Sequence, residues 1–421
     1  MKFEYRIAID AKKVVTLLCI IILLISSWAG FSEGSKFATD DLRRTLNYSL
    51  WIFGGVALLL GSKVKKFSVF ELTAMLSILI YRGYNIFYAY DYRGLGLTNI
   101  FLGIFICLQT DEIRAAVFKY FKYIMVVISI IGIFCYISYT LKLGISYTVV
   151  ERGGGVSWIN YHICYLMNEY GRMTRLTGFF DEPGYLGTWV AFFLCADGLN
   201  LRKKENIILF IAGILTFSLA FVLLLMIYFI LMNLSNWKRW IWAVILVLLY
   251  IFALPNVKTG NYAVDRILER MMFTEEGLVG NNRYGSAFER VWQQTINNGK
   301  IYFGYGAGYA EIFGTGEGQG LSSIKSYLVN FGIVGTVIIF GPILISSVRQ
   351  SLKKKNRGMF LYIVITFISL YQRPYLFVTP YFIIFICGVS YTFLKDKDEI
   401  KEPKVMEIEN GTEVLNRYSN L

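Results

Sequence analysis

The side chains best suited to chemistry are scattered cations and one acidic pair, and they form no familiar triad. Arg175 stands seven residues before Glu182 in the run Arg175-Leu-Thr-Gly-Phe-Phe-Asp181-Glu182-Pro183-Gly-Tyr-Leu-Gly. A carboxylate at the rim of a cavity, beside cations, has the chemistry to accept a proton from a hydroxyl. A guanidinium donates hydrogen bonds in pairs and so suits a phosphate. Acid followed by proline is also how helices start, because proline fits the first helical position and carboxylates suit the positive dipole end. Asp181 and Glu182 therefore carry a structural reading beside the catalytic one.

Further cations stand apart from one another: Arg82 deep in an apolar run, Arg290 four residues after Ser286, Lys325 before an apolar run, and Arg373 before Pro374. Each has a plain alternative as a contact to lipid phosphate or solvent, and Arg82 has one as a snorkelling side chain. His162 is the only histidine, which removes histidine triads and zinc clusters and leaves that residue a packing role. Asp265 and Glu269 share a helix face, but an acid pair at that spacing is commoner as solvated surface, so no metal and no cofactor are expected. Gly304 to Gly308 has the look of a dinucleotide fingerprint without the βαβ unit that such a fingerprint needs.

The elements that must position these residues are set by composition. Of 421 residues, 56% are apolar and 17% aromatic, and mean hydropathy is +0.51, above the usual share for a soluble domain. At roughly 20 residues per crossing, about a dozen crossings fit. The net charge of +13 comes from small Lys/Arg groups between apolar runs, the pattern of cytoplasmic loops and not of a nucleic-acid face. Cys19, Cys107, Cys135, Cys195 and Cys387 lie inside apolar runs and only Cys164 in a loop, so neither paired disulfides nor thiolate metal sites are expected.

The apolar runs predict crossings at about 14 to 31, 46 to 60, 67 to 90, 94 to 110, 119 to 140, 184 to 199, 238 to 254, 327 to 346, 358 to 372 and 375 to 394. The first ends on Ser27-Trp28-Ala29, weakly like a signal-peptidase site, and reads better as an uncleaved helix. The stretch 206 to 234 is too long for one crossing. With the N-terminus inside, the loops holding Lys63/Lys65/Lys66, Arg114/Lys119/Lys122 and Arg202/Lys203/Lys204 are cytoplasmic. Lys238/Arg239 and the cluster from Arg349 to Arg357 join them only if 206 to 234 is a hairpin of two short helices turning near Thr216 to Ala220.

The fold expected is thus an all-α polytopic membrane protein of about 12 transmembrane helices, one domain over 1–394, with both ends inside. A solvated, disordered cytoplasmic tail follows over 395–421. Two long segments, 141–182 and 255–326, fall on the outer face and are expected to hold amphipathic helices. Val264, Ile267, Leu268, Met271 and Met272 space out one surface helix. Ser286 and Glu289 predict a capping box for another, with Phe288, Val291, Trp292 and Ile296 as its stripe. The glycine-rich stretches from Gly304 to Gly308 and Gly314 to Gly320 read as too flexible for regular structure.

Arg175-Leu-Thr-Gly-Phe-Phe-Asp-Glu-Pro leading into a crossing, a short hairpin, Ser286-Ala-Phe-Glu-Arg290, Gly304-Tyr-Gly306-Ala-Gly308 and Gly332-Ile-Val-Gly335 together resemble the Wzy-type O-antigen polymerases and related O-antigen ligases. The likeness covers roughly residues 170 to 340 and rests on the order of short motifs. It implies a GT-C-like, metal-independent glycosyltransferase in the bacterial inner membrane, acting at the periplasmic face on undecaprenyl-diphosphate-linked repeats as donor and acceptor. It also implies contact with membrane lipid and with a chain-length regulator protein. By position, Arg175 and Arg290 would contact the diphosphate, with Arg82, Lys325 and Arg373 in support and Glu182 on the acceptor hydroxyl.

The ligase branch places a histidine where this chain has Ile324-Lys325-Ser326-Tyr327, which favours polymerase over ligase. A lipid-linked oligosaccharide flippase is the alternative of another class; the long outer segments and their arginines argue against it. The hairpin topology is checked by single cysteines at positions 280 and 354 in a cysteine-free background. An impermeant thiol reagent added to intact cells is expected to label position 280 and leave 354 untouched.

Overall fold

The computed structural model describes residues 11–27, 67–88, 97–153, 155–169, 171–234, 285–314 and 323–401, with a few short stretches between 241 and 278. The runs at 46 to 60 and 238 to 254, most of the surface helix over 264 to 272 and the tail beyond 401 lie outside the described residues. Helices α1 (Ala11–Ser27), α2 (Val69–Phe87), α3 (Leu97–Leu108) and α4 (Asp111–Thr140) come first. Strands β1 (Thr148–Gly153), β2 (Val156–Asn160), β3 (Tyr165–Glu169) and β4 (Met173–Gly178) follow, then α5 (Pro183–Ala196), α6 (Lys204–Leu215) and α7 (Leu219–Met232). A two-residue ladder of β5 (Phe273–Thr274) and β6 (Gly277–Leu278) precedes α8 (Ser286–Asn297), α9 (Tyr309–Phe313), α10 (Ile324–Lys353), α11 (Arg357–Ser369) and α12 (Thr379–Lys401).

The chain is mostly helical, and α4 and α10, 30 residues each, are long and apolar enough to cross a membrane. Helix starts follow local chemistry. Ser68 and Glu71 close a reciprocal capping box at α2, and the Asn356 side chain accepts from Met359 N at 2.6 Å to cap α11. The capping box expected at Ser286 does not form. Gly285 is the N-cap of α8, no side chain caps it, and Ser286 is already the first helical residue. The last helix continues to Lys401, into the segment expected to be a solvated tail.

The stretch 206 to 234 is the hairpin that charge parity required, turning at Thr216 to Ser218. Thr216 Oγ1 donates to Gly213 O at 2.6 Å and accepts from Ser218 N at 3.2 Å. The turn seats on α5 at Gly187, where a Cβ would stand 2.8 Å from that of Ser218. Helix α6 packs on α4 and α5, and α7 packs on α5 and α11.

The segment 141–182 is not a loop with amphipathic helices. Its strands form one antiparallel meander in the order β1-β2-β3-β4, so the all-α expectation fails there. The β-branched and aromatic residues Val149, Val150, Trp158, Ile159 and Tyr165 favour pleated backbone, and alternation gives the sheet two faces. Ile159, Leu166 and Leu176, paired across the strands, join the helical core. Trp158 and Tyr165 gather on the other face with Val150 and Met167. His162 does not pack. It is exposed in the β2–β3 turn at φ 69°, with its N–H on Asn160 Oδ1 at 2.6 Å.

Helix contacts define two ends. The C-terminal part of α2 meets the N-terminal part of α10 through Tyr81 and Tyr327, and Thr73 near the other end of α2 meets Ser346. The N-termini of α5 and α12 touch through Trp189 and Tyr381 beside the sheet. At the far end, Arg114 and Lys122, expected in a solvated loop, are buried on α4. Arg114 pairs with Glu71 and with Asp111 at 2.6 Å, and Lys122 pairs with Asp197.

The glycine-rich stretch is ordered by a break in α10. Gly332 departs from the helix at φ 66°, ψ −177°, which frees backbone groups that must find partners. Residues 301–306 supply them. Ile333 N donates to Ile301 O at 2.8 Å, Val334 N to Tyr302 O at 3.0 Å, and Tyr305 N and Gly306 N donate to Val329 O and Asn330 O at 2.9 Å. The approach is reciprocal, since a Cβ on Gly304 would overlap the Asn330 carbonyl and one on Gly332 the Tyr302 carbonyl. Alanine at Gly332 or Gly304 is expected to cost more than the roughly 1–2 kcal/mol of a left-handed residue alone, because backbone must move as well. The check is the yield and thermal stability of detergent-solubilised protein, with alanine at the open Gly83 as the control that stays near wild type.

Candidate active site

At the sheet end, the C-terminal part of α2, the N-termini of α5, α10 and α12, and the 370–378 connection converge. Ile324 N donates to Tyr371 O at 3.2 Å, tying α10 to that connection. Arg373 is buried there, 1% exposed. Its Nη2 donates to Glu182 Oε2 at 2.5 Å, and its guanidinium lies 4.1 Å over the Tyr185 ring. Tyr185 stacks on Tyr375 at 5.9 Å and meets Tyr381 edge-on, so the cation sits in an aromatic pocket. Among the described residues nothing accepts from the buried Nε of Arg373. Burial works against the charge, yet the Glu182 carboxylate prevails and raises the pKa above the ordinary guanidinium value.

Glu182 is the N-cap of α5, but its side chain makes no capping bond. The carboxylate turns to Arg373 and stays 46% exposed. The helix start therefore leaves it over for the pocket. Asp181 is exposed beside it.

Arg82 is 8% exposed and lies 5.1 Å over the ring of Tyr81. Tyr81 stacks on Tyr327 at 6.0 Å and on Phe377 at 5.1 Å, which leads from Arg82 to the connection that carries Arg373. No ion pair or hydrogen bond joins Arg82 to a described residue, and its Nε is buried without an acceptor. Removing an ion from water costs several kcal/mol even after relaxation. Far-end Arg114 and Lys122 offset that cost with carboxylates; Arg82 does not. Nε and Nη1 of Arg114 are likewise buried without an acceptor among the described residues, so what sets Arg82 apart is that no described carboxylate pairs with it.

Lys325 stands two residues before Tyr327, 3.9 Å from Glu289 and 5.1 Å over the ring of Trp292, so it fastens α8 to the start of α10. Arg290 is exposed on α8, opposite the buried Phe288, Val291 and Thr295. Arg175 is elsewhere. It is 9% exposed on β4, donates to Thr216 O at 3.0 Å and Phe217 O at 3.2 Å, and pairs with Glu169 at 2.6 Å. The guanidinium closes the carbonyl end of α6, where a cation is favoured, and ties the sheet to the hairpin turn.

The structure thus joins Glu182 to Arg373 directly, Arg82 to them through stacked rings, and Lys325 through α10. It leaves Arg175 as a tether and Arg290 on the solvent side. Sequence reasoning missed the aromatic walls Tyr81, Tyr185, Tyr327 and Tyr375 and the partner Glu169. The signal for two of the walls was adjacency, since Tyr81 precedes Arg82 and Tyr375 follows Arg373-Pro374. Among the described residues no cluster of His, Cys, Asp or Glu is arranged to hold a metal ion.

No protein-family model matches the chain. No curated protein and no solved structure matches it either.

The tether is tested by Arg175→Met, which strips the cation from buried Glu169 and leaves two carbonyls bare. A loss of about 3–5 kcal/mol is expected, the size seen when one partner of a buried pair is removed. The expected readout is less folded protein in membranes and a lowered unfolding temperature, with Glu169→Gln/Arg175→Met recovering part of both.

Proposed function

We propose that this chain is a polysaccharide polymerase of the Wzy type. On this reading it has about twelve crossings in a bacterial inner membrane, both termini in the cytoplasm, and its sheet end at the periplasmic face. It joins undecaprenyl-diphosphate-linked repeats without a metal ion. The reading is supported above all by Arg82 and Arg373, withdrawn from water at one end of the molecule and incompletely partnered. The order of motifs over residues 170 to 340 supplies the reaction class.

The growing glycan leaves its lipid diphosphate and joins a hydroxyl of the incoming lipid-linked repeat. Charge grows on the departing diphosphate, and donors fixed in advance where charge grows are often the largest catalytic contribution. Arg373 and Arg82 fill that role, with Lys325 and the exposed Arg290 closing over the diphosphate. A diphosphate that competes for Arg373 loosens its hold on Glu182, and that carboxylate then accepts the proton of the acceptor hydroxyl. The diphosphate departs with its charge balanced by the arginines, Glu182 gives up its proton to that departing diphosphate or to water, and the carboxylate returns to Arg373. On this reading Arg175 serves by holding the sheet that leads into Glu182 and α5.

The test is complementation of a deletion strain at matched membrane levels, read as the lipopolysaccharide ladder. Arg82→Ala is expected to lower long-chain product by on the order of a hundredfold to a thousandfold, the cost of one lost oxyanion donor. Arg82→Lys is expected to restore only part, because it keeps the charge and loses the paired geometry. Arg290→Ala folds normally, being exposed, and is expected to reduce the ladder too. A polymerase defect leaves a single repeat on the lipid core, whereas a ligase or flippase defect leaves none. Normal ladders from Arg82→Ala would overturn the assignment of this site.

A further inference from the structure

The sheet meets α4 at a pair of thiols. Cys135 lies on the face of α4 turned to the sheet and is 7% exposed; Cys164 closes the β2–β3 turn and is 1% exposed. Gly132, almost one helical turn before Cys135, makes room for this approach, since a Cβ there would stand 3.3 Å from Cys164 Sγ and 2.8 Å from Leu176 Cδ1. Cys164 Sγ therefore stands against the face of α4 that carries Gly132 and Cys135, and it donates to Tyr165 O at 3.7 Å. The remaining cysteines, Cys19, Cys107, Cys195 and Cys387, lie on helices of the bundle. The expectation of no paired cysteines therefore meets one pair that the fold brings together.

We propose that Cys135 and Cys164 form a disulfide that fastens α4 to the sheet. It is made by thiol–disulfide exchange with a disulfide-bearing oxidant on the side of the membrane where the sheet lies. This rests on the proposed topology, because only an oxidising compartment sustains such a bond. The Cys164 thiolate attacks one sulfur of the oxidant and expels the other as a thiolate, giving a mixed disulfide. The Cys135 thiolate then attacks the Cys164 sulfur, the Cys135–Cys164 bond forms, and the second oxidant sulfur leaves. Two thiol protons pass to water and to the departing thiolates, and the oxidant ends as its reduced dithiol. The Cys135 thiol and burial both push the Cys164 thiol up, and the finished fold shields it, so the exchange belongs to the stage before the sheet docks.

The bond closes a loop that contains β1 and β2, the two strands farthest from β4. Strand β4 is already held by Arg175 and continues into α5. The bond would hold the remaining half of the meander.

The experiment has two arms, both on the full chain. Cells are quenched with a permeant maleimide, and the protein is denatured and mapped by mass spectrometry without reduction. Reduced protein in detergent is separately treated with copper–phenanthroline, which partitions into apolar regions, and mapped in the same way. A peptide linking Cys135 to Cys164 is expected in both arms, and Cys135→Ser or Cys164→Ser should leave the other thiol free to alkylate. All six thiols alkylated in cells, with no linked peptide in detergent, would overturn the proposal because the thiols do not meet. A linked peptide in detergent with free thiols in cells would overturn it differently, by removing the sheet from the oxidising face. In that case an impermeant maleimide applied to intact cells would also leave position 280 unlabelled.

Discussion

A break inside a long apolar helix has to be repaired from outside that helix, and the repair at Gly332 is what the sheet end hangs on. Without the carbonyls at Ile301 and Tyr302, the N–H groups of Ile333 and Val334 would lack partners, and each buried unpaired group costs about 1–3 kcal/mol. The same contact fixes the direction of the first turns of α10. Those turns carry Lys325 and Tyr327, and the Tyr327 ring carries Tyr81, over which Arg82 lies. A glycine with no side chain thus determines where a guanidinium stands, several contacts away.

The two ends of the molecule treat buried charge in opposite ways. Arg114 and Lys122 at the far end are matched by the carboxylates of Glu71, Asp111 and Asp197, although Nε and Nη1 of Arg114 also lack an acceptor among the described residues. At the sheet end, Arg373 has one carboxylate that is half in water, and Arg82 has stacked rings instead of an acid. Aromatic faces lower the cost of a buried cation without neutralising it. The asymmetry leaves Arg82 as a buried cation that no described carboxylate neutralises, in apolar surroundings where a charge acts more strongly.

Much of the helical layout was legible, because apolar runs bounded by polar groups and parity of charge are long-range signals that survive local error. They placed α2, α5 and α11 to within a few residues, found α10 but stopped seven residues short of its end, and required the hairpin. The sheet was not legible, since its strands are short and lie between glycines and polar residues, so the segment scanned as loop. Arg114 and Lys122 were misread for a related reason: one sequence shows a charge but not the carboxylate that folding brings beside it. Arg175 and Arg373 illustrate the same limit within the candidate site. Both precede or follow a helix boundary and both pair with a glutamate, yet one closes a helix end and the other faces an aromatic pocket. Ser286 failed for a smaller reason, because the helix began one residue early at Gly285 and the hydroxyl lost its capping position.

The hairpin has a geometric consequence. Helix α6 has 12 residues and α7 has 14, about 18 Å and 21 Å at 1.5 Å per residue, against a hydrocarbon core of roughly 30 Å. On the proposed topology its turn would stop short of the surface, where Arg175 ties the sheet to it. The protein would on this reading be dished at this point, with hydrogen-bonded β-structure reaching below the level of the surrounding headgroups. On the proposed reading, a polyprenyl substrate anchored in the bilayer would react at the depth where its own diphosphate already rests. Its tail would remain among the acyl chains throughout, and only the sugar would extend into water.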